Sequence, residues 1–346
     1  MKLSVLDQTP VPQGATGPEA LRNTLDLARL ADALGYHRYW LAEHHGGRML
    51  AGPSPEVLIG PLAAATSRLR VGSGGVMLPH YSALKVAESF SLLAGLYPGR
   101  IDLGLGRAPG SDQLTAYALQ RDRRERAPDD FPEQLAELLA YLEDDFPPQH
   151  PFARLTALPG VPEAPEPWLL GSSPQSALWA AQLGLPYAFA DFINPRGAEI
   201  AALYHERFTD SGRLPAAQGV VAVSAIAAAT DEEAERLAAS GRMAFAMLRR
   251  GNPIPVPPVE DALRFLAANP VSSDRRLVLG APATVRAGLE AVAREYGAHE
   301  VMVVTIVHDH AARRRSYELI AEAFGLSRSD ADSASGSREW RAATTA

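Results

Sequence analysis

Three segments of the chain hold residues that could do chemistry, and each closes a short apolar run. Tyr39-Trp40-Leu41-Ala42-Glu43-His44-His45 ends in a carboxylate and two imidazoles. Ser73-Gly74-Gly75-Val76-Met77-Leu78-Pro79-His80 places two glycines after Leu69-Arg70-Val71, and Ile101-Asp102-Leu103-Gly104-Leu105-Gly106-Arg107 ends in glycines and an arginine. One histidine of the first segment suits acid/base work near neutral pH. Adjacent glycines at a strand end open backbone conformations closed to other residues and leave room for a flat ligand against the main chain. Arg107 offers forked donors that match phosphate.

A fourth segment, Leu170-Gly171-Ser172-Ser173-Pro174-Gln175-Ser176, reads as strand, turn and helix start. Free N–H groups at such a start attract anions, helped here by the hydroxyls of Ser172 and Ser173; plain N-capping by Ser173 is the structural alternative. With Arg107 and the basic run Arg121, Arg123 and Arg124, a phosphate site is the better reading. Gly104-Leu105-Gly106-Arg107-Ala108-Pro109-Gly110 falls short of a dinucleotide fingerprint, because Pro109 stands where the third glycine belongs. A metal site from His44 and His45 with Asp309, flanked by His308 and His310, is the rival, but neighbouring residues at a strand end point opposite ways. Trp40, Trp168 and Trp179 read as core, Arg313-Arg314-Arg315 as a solvated helix face, and His80 as either pocket lining or structural.

The elements that would position these residues alternate from the start. Strands are expected at residues 2–6, 37–42, 70–74, 100–105, 168–170, 187–190, 219–228 and 301–307. Helices are expected at 18–34, 55–67, 82–96, 131–143, 174–183, 196–208, from an N-cap at Asp231, at 283–296 and at 311–324. Residues 110–128 are polar and arginine-rich, and 146–167 and 251–280 are proline-rich connections. About eight buried β-then-α units predict an α/β fold with a parallel sheet, and their number and length favour a closed (β/α)₈ TIM barrel over a doubly wound open sheet. Residues 1–326 would form that single domain and 327–346 a disordered tail. The chemistry-bearing residues fall at C-terminal strand ends, where such barrels build their sites.

The 346 residues carry a net charge of −7 and no cysteine. That excludes disulfides, thiolate metal sites and a cysteine nucleophile, and argues against a nucleic-acid partner. No uncharged apolar run reaches the ~18–20 residues needed to span a bilayer. The start turns polar too soon for a signal peptide, so a cytoplasmic protein is expected.

Taken together, the sequence resembles the bacterial-luciferase-like flavin-dependent oxidoreductases over most of residues 1–325. The likeness rests on Ala42-Glu43-His44-His45, Gly72 to Pro79, Pro98 to Arg107, Gly171-Ser172-Ser173 and Trp179 to Pro186, in that order. It is nearer the uncharacterised single-chain members than the light-emitting subunits. The resemblance implies a barrel that takes reduced FMN from a separate reductase, forms a C4a-peroxyflavin with oxygen and oxygenates a small carbonyl-type substrate. It implies that His44 is the catalytic histidine, oriented by Glu43 or a neighbour. It also implies that Gly74-Gly75 lie against the isoalloxazine at a bulge with a non-proline cis peptide. Arg107, Ser173 and Ser176, with Ser172 beside them and Arg124 less securely aligned, match phosphate-binding positions. Related barrels use the deazaflavin F420 for hydride transfer, which is the second reading; a flavin-binding barrel without turnover is a third. Gly106 stands where luciferase has a reactive cysteine, so light emission and long-chain aldehyde specificity do not carry over. Residues 251–280 replace the luciferase lid segment. Relatives dimerise through barrel helices, and the helices after the second and third strands are rich in Ala, Leu and Val, so a homodimer is expected.

Overall fold

The computed structural model describes residues 1–108, 112–120, 123–124, 129–160, 163–270 and 275–326. The expected tail at 327–346, Arg121, and the Pro109-Gly110 pair lie outside them.

The strands are β1 (Lys2–Asp7), β2 (Arg38–Leu41), β3 (Arg70–Met77), β4 (Ile101–Gly106), β5 (Glu166–Gly171), β6 (Tyr187–Ala190), β7 (Gly219–Ala227), β8 (Leu277–Gly280) and β9 (Glu300–Val304). The helices are α1 (Gly17–Leu34), α2 (Pro55–Ala65), α3 (Ala83–Leu96), α4 (Gln113–Leu119), α5 (Phe131–Glu143), α6 (Pro174–Gln182), α7 (Ala198–Arg207), α8 (Asp231–Arg249), α9 (Val259–Ala268), α10 (Pro282–Glu295) and α11 (His310–Phe324). Eight strands, β1 to β7 and β9, pair in parallel and close into a ring through β6–β7 and β1–β9, giving a (β/α)₈ TIM barrel. β8 stands outside the ring. It pairs with Ser224–Ala227, the half of β7 that runs on past its pairing with β6.

Local chemistry accounts for most boundaries. Thr16 and Glu19 form a reciprocal capping box at α1, and Gly35, at φ 87°, stops that helix in a left-handed conformation other residues adopt at a cost. Ser173 caps α6, with Pro174 in its first turn. Thr230, rather than the expected Asp231, caps α8; the Asp231 carboxylate instead accepts from the Ala281 N–H at 2.6 Å and ties α8 to the end of β8. The proline-rich 251–280 connection holds α9 and β8, both unexpected from sequence: its prolines mask the short apolar runs at 262–268 and 277–279, which pack against α8 and β7.

Inside the ring, the N-terminal end is filled by a charged cluster. Arg38 reaches Asp102 at 2.8 Å and Glu300 at 3.2 Å, Arg70 holds the other Asp102 oxygen at 2.5 Å, and Trp40 Nε1 donates to Asp102 at 2.8 Å. Above it Trp40 and Trp168 pack edge-to-face at 5.2 Å with Leu6, Val220 and Met302. Arg313 is no surface residue. Its guanidinium is buried on α11, 2.6 Å from Asp7, while Arg314 and Arg315 make exposed or half-exposed pairs with Asp26, Glu318 and Glu322. The arginine triplet straddles a helix edge, and the expectation of a uniformly solvated face fails for one residue in three.

Candidate functional site

β3 makes the site possible. Its register against β4 shifts between Ser73 and Val76, and the bulge contains a cis peptide between Gly74 and Gly75. The two glycines are demanded for different reasons. A Cβ on Gly75 would lie 2.7 Å from the Gly104 carbonyl, so the backbones of β3 and β4 touch there; one on Gly74 would meet Leu6 Cδ1 at 2.5 Å and Trp40 Cβ at 3.1 Å. Leu6, Trp40 and both glycines then border one cavity of about 480 Å³. The space is within the range of small-molecule sites.

The same cavity also has polar lining. Arg107, Ser172, Ser173 and Ser176 all line it, so the sequence-predicted anion residues converge although they lie on two different strand–helix units. Gly171 makes the approach possible, since a Cβ there would overlap Ser176 Oγ at 2.2 Å. Three of these side chains are already engaged. Arg107 sits over the Trp179 ring at 5.6 Å, and one of its nitrogens binds both Asp129 oxygens at 2.6 and 2.9 Å. Asp129 thus occupies the guanidinium as an oxyanion would. Ser173 accepts from the Ser176 N–H at 3.3 Å, so the capping reading of this serine holds too. Ser176 donates to the Ser173 carbonyl at 2.9 Å and lies 2.9 Å from the Tyr187 hydroxyl. Its hydroxyl must turn before it can face a ligand.

Arg124 is exposed and is not among the residues that line the cavity. Glu43 and His44 do not line it either. Glu43 is fully buried and links neighbours: it accepts from the Met77 N–H at 2.9 Å and the Tyr81 hydroxyl at 3.1 Å, and lies 2.6 Å from His45 Nε2. Since Met77 does line the cavity, Glu43 secures the bulge that forms its wall. The carboxylate orients His45, so of the two expected orienters of His44, Glu43 or a neighbour, Glu43 is not one. His44 borders a neighbouring open hollow with Val11, Gly46 and Leu50, and its Nδ1 is buried without a hydrogen bond. Burial, with His45 adding to it, lowers its pKa to about 4. The imidazole is therefore held in its neutral form, not poised at neutrality as expected.

The residues of the metal alternative are spent elsewhere. Asp309 caps α11 through the Ala312 N–H at 2.7 Å, His310 pairs with Asp26 at 2.8 Å, His308 lies 3.2 Å from the Gln13 carbonyl, and His45 is held by Glu43. No trio of metal-binding side chains occurs among the described residues. His80 packs edge-on against His45 at 5.6 Å rather than into the cavity.

Sequence reasoning missed most of the apolar lining. Met77, Phe131, Phe192 and Ile193 border the cavity, and so do Trp40 and Trp179, which had been assigned only to the core. Position at the end of β6 was the available signal for Phe192 and Ile193. For Trp40 and Trp179 there was none, because a side chain can be core on one edge and ligand wall on the other.

Fold and site together define a parallel barrel with a partly polar crevice at the C-terminal ends of its strands. Residues 1–300 match the luciferase-like monooxygenase family, and the chain belongs to it. It is 46% identical over 331 residues to the uncharacterised Bacillus subtilis protein YwcH, covering 94% of this chain and 99% of that one. It is 38% identical over 330 residues to the N-acetyl-S-alkylcysteine monooxygenase of the same organism, covering 93% and 98%. Among solved structures, apo-MsnO8 is 43% identical, with a TM-score of 0.87 over 94% of this chain and 99% of that one. Two more distant structures share the fold at a TM-score of 0.69: a type II Baeyer-Villiger monooxygenase in complex with FMN, at 20% identity, and an F420-dependent secondary alcohol dehydrogenase, at 14%. None of the described helices is long and apolar enough to cross a membrane.

Proposed function

We propose that this protein is a flavin-dependent monooxygenase that takes reduced FMN from a separate reductase, with the flavin in the 480 Å³ cavity. The observation that carries this reading is that Arg107, Ser172, Ser173 and Ser176 line one largely apolar cavity together with the Gly74-Gly75 backbone. The arginine and serines suit a phosphate, and the glycine backbone suits a planar ring. Bound reduced flavin would supply two electrons for splitting dioxygen, one atom entering the substrate and the other leaving as water.

Each side chain then has a part. Arg107 exchanges Asp129 for the phosphate. The Ser176 hydroxyl turns from the Ser173 carbonyl toward it. Trp40, Met77 and Phe192 exclude water from the ring. Glu43 holds the bulge, and His44, in the adjoining hollow, is the acid/base candidate. The substrate is a small organic molecule. The name of the Bacillus subtilis relative puts a thioether beside the carbonyl class as a candidate. Val57, Leu92 and Leu96 stand exposed on α2 and α3, in support of a homodimer through those helices; a monomer by light scattering would remove that part of the proposal.

The test is anaerobic titration with photoreduced FMN and, separately, with reduced F420, followed by mixing with air. The reading expects tight binding of reduced FMN and an absorbance course during reoxidation that differs from free flavin and changes in His44→Ala. Binding of F420 alone would replace it by hydride transfer. FMN binding with unaltered reoxidation in both proteins would leave a flavin carrier without turnover.

A further inference from the structure

A second cavity of about 540 Å³ lies at the same mouth, and the flavin reading makes no use of it. Leu6, Ala222 and Met302 line the first cavity; Gln8, Ser224 and Val304, each two residues further on, line the second. Residues two apart on a strand share a face. The second cavity therefore continues the barrel interior one pleat higher, and a molecule bound there faces whatever fills the first.

Its outer wall is α8. Glu235, Ala238, Arg242, Phe245 and Arg249 recur at spacings of three and four residues, which puts them on one helix face, and all five border the cavity. Arg275 approaches from the β8 side. Its Nε donates to the Phe192 carbonyl at 2.5 Å, in the wall of the first cavity, and its guanidinium carbon lies 3.3 Å from the centre of the Phe245 ring. Three guanidiniums border this space, and among the described residues that line it the one carboxylate is taken: Glu235 binds Arg242 at 2.5 and 3.0 Å.

Arg249 forms no salt bridge with any described residue, and it is close enough to Arg275 to oppose its charge. Burial first, and then Arg249, lower Arg275 to about 10, against a weaker opposing pull from Asp191. A cation in the last turn of a helix is favoured by the helix dipole, which accounts for Arg249 as a local feature. It does not account for Arg275, remote in sequence, facing the same apolar space.

We propose that this upper cavity is the substrate site and that it selects an organic carboxylate, with an apolar body on Ile226, Val304 and Ile306 and the carboxylate between Arg249 and Arg275. The proposal rests on the flavin reading for the reaction that follows, but the binding itself does not require flavin.

The experiment compares 4-phenylbutanoate with its isosteric amide by calorimetric titration of the full-length protein, without and with FMN. The acid is expected to bind at least tenfold more tightly than the amide. Arg249→Gln should reduce that preference severalfold, and Glu235→Gln should raise acid affinity by freeing Arg242. Opposite signs from two substitutions on one helix face separate a charge effect from misfolding. Equal affinity for acid and amide, no binding of either, or an undiminished preference in Arg249→Gln would overturn the proposal. FMN titration of the same samples is read independently: loss of flavin binding with acid preference intact would sink the flavin reading and leave the carboxylate site standing, and the reverse would do the opposite.

Discussion

The two ends of this barrel are built from the same strands and treat charge in opposite ways. At the N-terminal end, Arg38 and Arg70 are matched by Asp102, Glu300 and Glu166 within 3.5 Å, and Trp40 supplies a further donor to Asp102. At the C-terminal mouth, arginines border cavities: Arg107 with an exposed aspartate as its partner, Arg249 with no salt bridge among the described residues. Burying a charge is tolerable only where partners repay its lost hydration. The closed end therefore serves stability, while the open end keeps donors available to a ligand. Asp7 marks the boundary. It ends β1 near the mouth yet is fully buried, and although burial alone would raise its pKa, Arg313 and the hydroxyls of Tyr39 and Thr24 hold it below 3.8.

This contrast can be broken first at its closed end. Asp102→Ala leaves Arg38, Arg70 and Trp40 Nε1 without their shared acceptor, and should cost about 3–5 kcal/mol in urea unfolding. FMN affinity of the folded fraction should stay within about twofold. A stable Asp102→Ala protein would mean that the cluster is not structural.

Arg107→Ala should do the reverse. Removing a charge-assisted contact to phosphate is expected to weaken FMN binding by about 1.5–3 kcal/mol, roughly 10- to 150-fold. Its side chain is 48% exposed, so the unfolding midpoint should hardly move. Fluorescence titration of both FMN and riboflavin sharpens the point, because riboflavin lacks the phosphate and its affinity should not change.

The acid side of the stability profile tests His44. Its folded pKa, near 4, lies below the ordinary 6.5, so the folded state binds fewer protons between those values. Stability should be unaffected by this group above about pH 6.5, decline as pH falls toward 4, and level off below. Asp7, with its depressed pKa, adds a further loss only below about pH 4, as pH falls through its folded value. His37, which burial also lowers to about 4, contributes in the same window, so His44→Asn should shrink the first decline without abolishing it and leave the second, as read by thermal melts across pH.

The smallest expected effect is at Asp129. If it stands in for a phosphate, Asp129→Asn should tighten FMN severalfold, about 1 kcal/mol for an exposed pair. An unchanged affinity would show that Arg107 meets the ligand without displacing anything.

Much of the mouth was legible because its signals are local. Ser173 before Pro174, Gly35 after Leu34 and the Gly74-Gly75 pair each report a backbone requirement carried by one or two residues. The convergence of Arg107 with Ser173 and Ser176 followed from one rule, that parallel barrels present strand C-termini on one side. Other features escaped because they depend on partners distant in sequence. Arg313 reads as one of three like residues until Asp7 is seen beside it, 306 positions away. Which adjacent histidine Glu43 holds stayed open in the sequence, because side-chain direction at a strand end depends on the turn that follows; the structure gives His45.

The chain by itself determined the order of the eight barrel strands and of most helices, the closed parallel barrel they form, and the end at which its reactive residues gather. These follow from hydrophobic periodicity, caps and glycines, which act over a few residues. Only the tertiary structure decided which charges are spent and which remain: Arg38 is neutralised in the core, while Arg249 faces an apolar cavity with no salt bridge among the described residues. The reason is that pairing energy depends on distance and burial in space, and neither is a property of the residue or of its neighbours along the sequence.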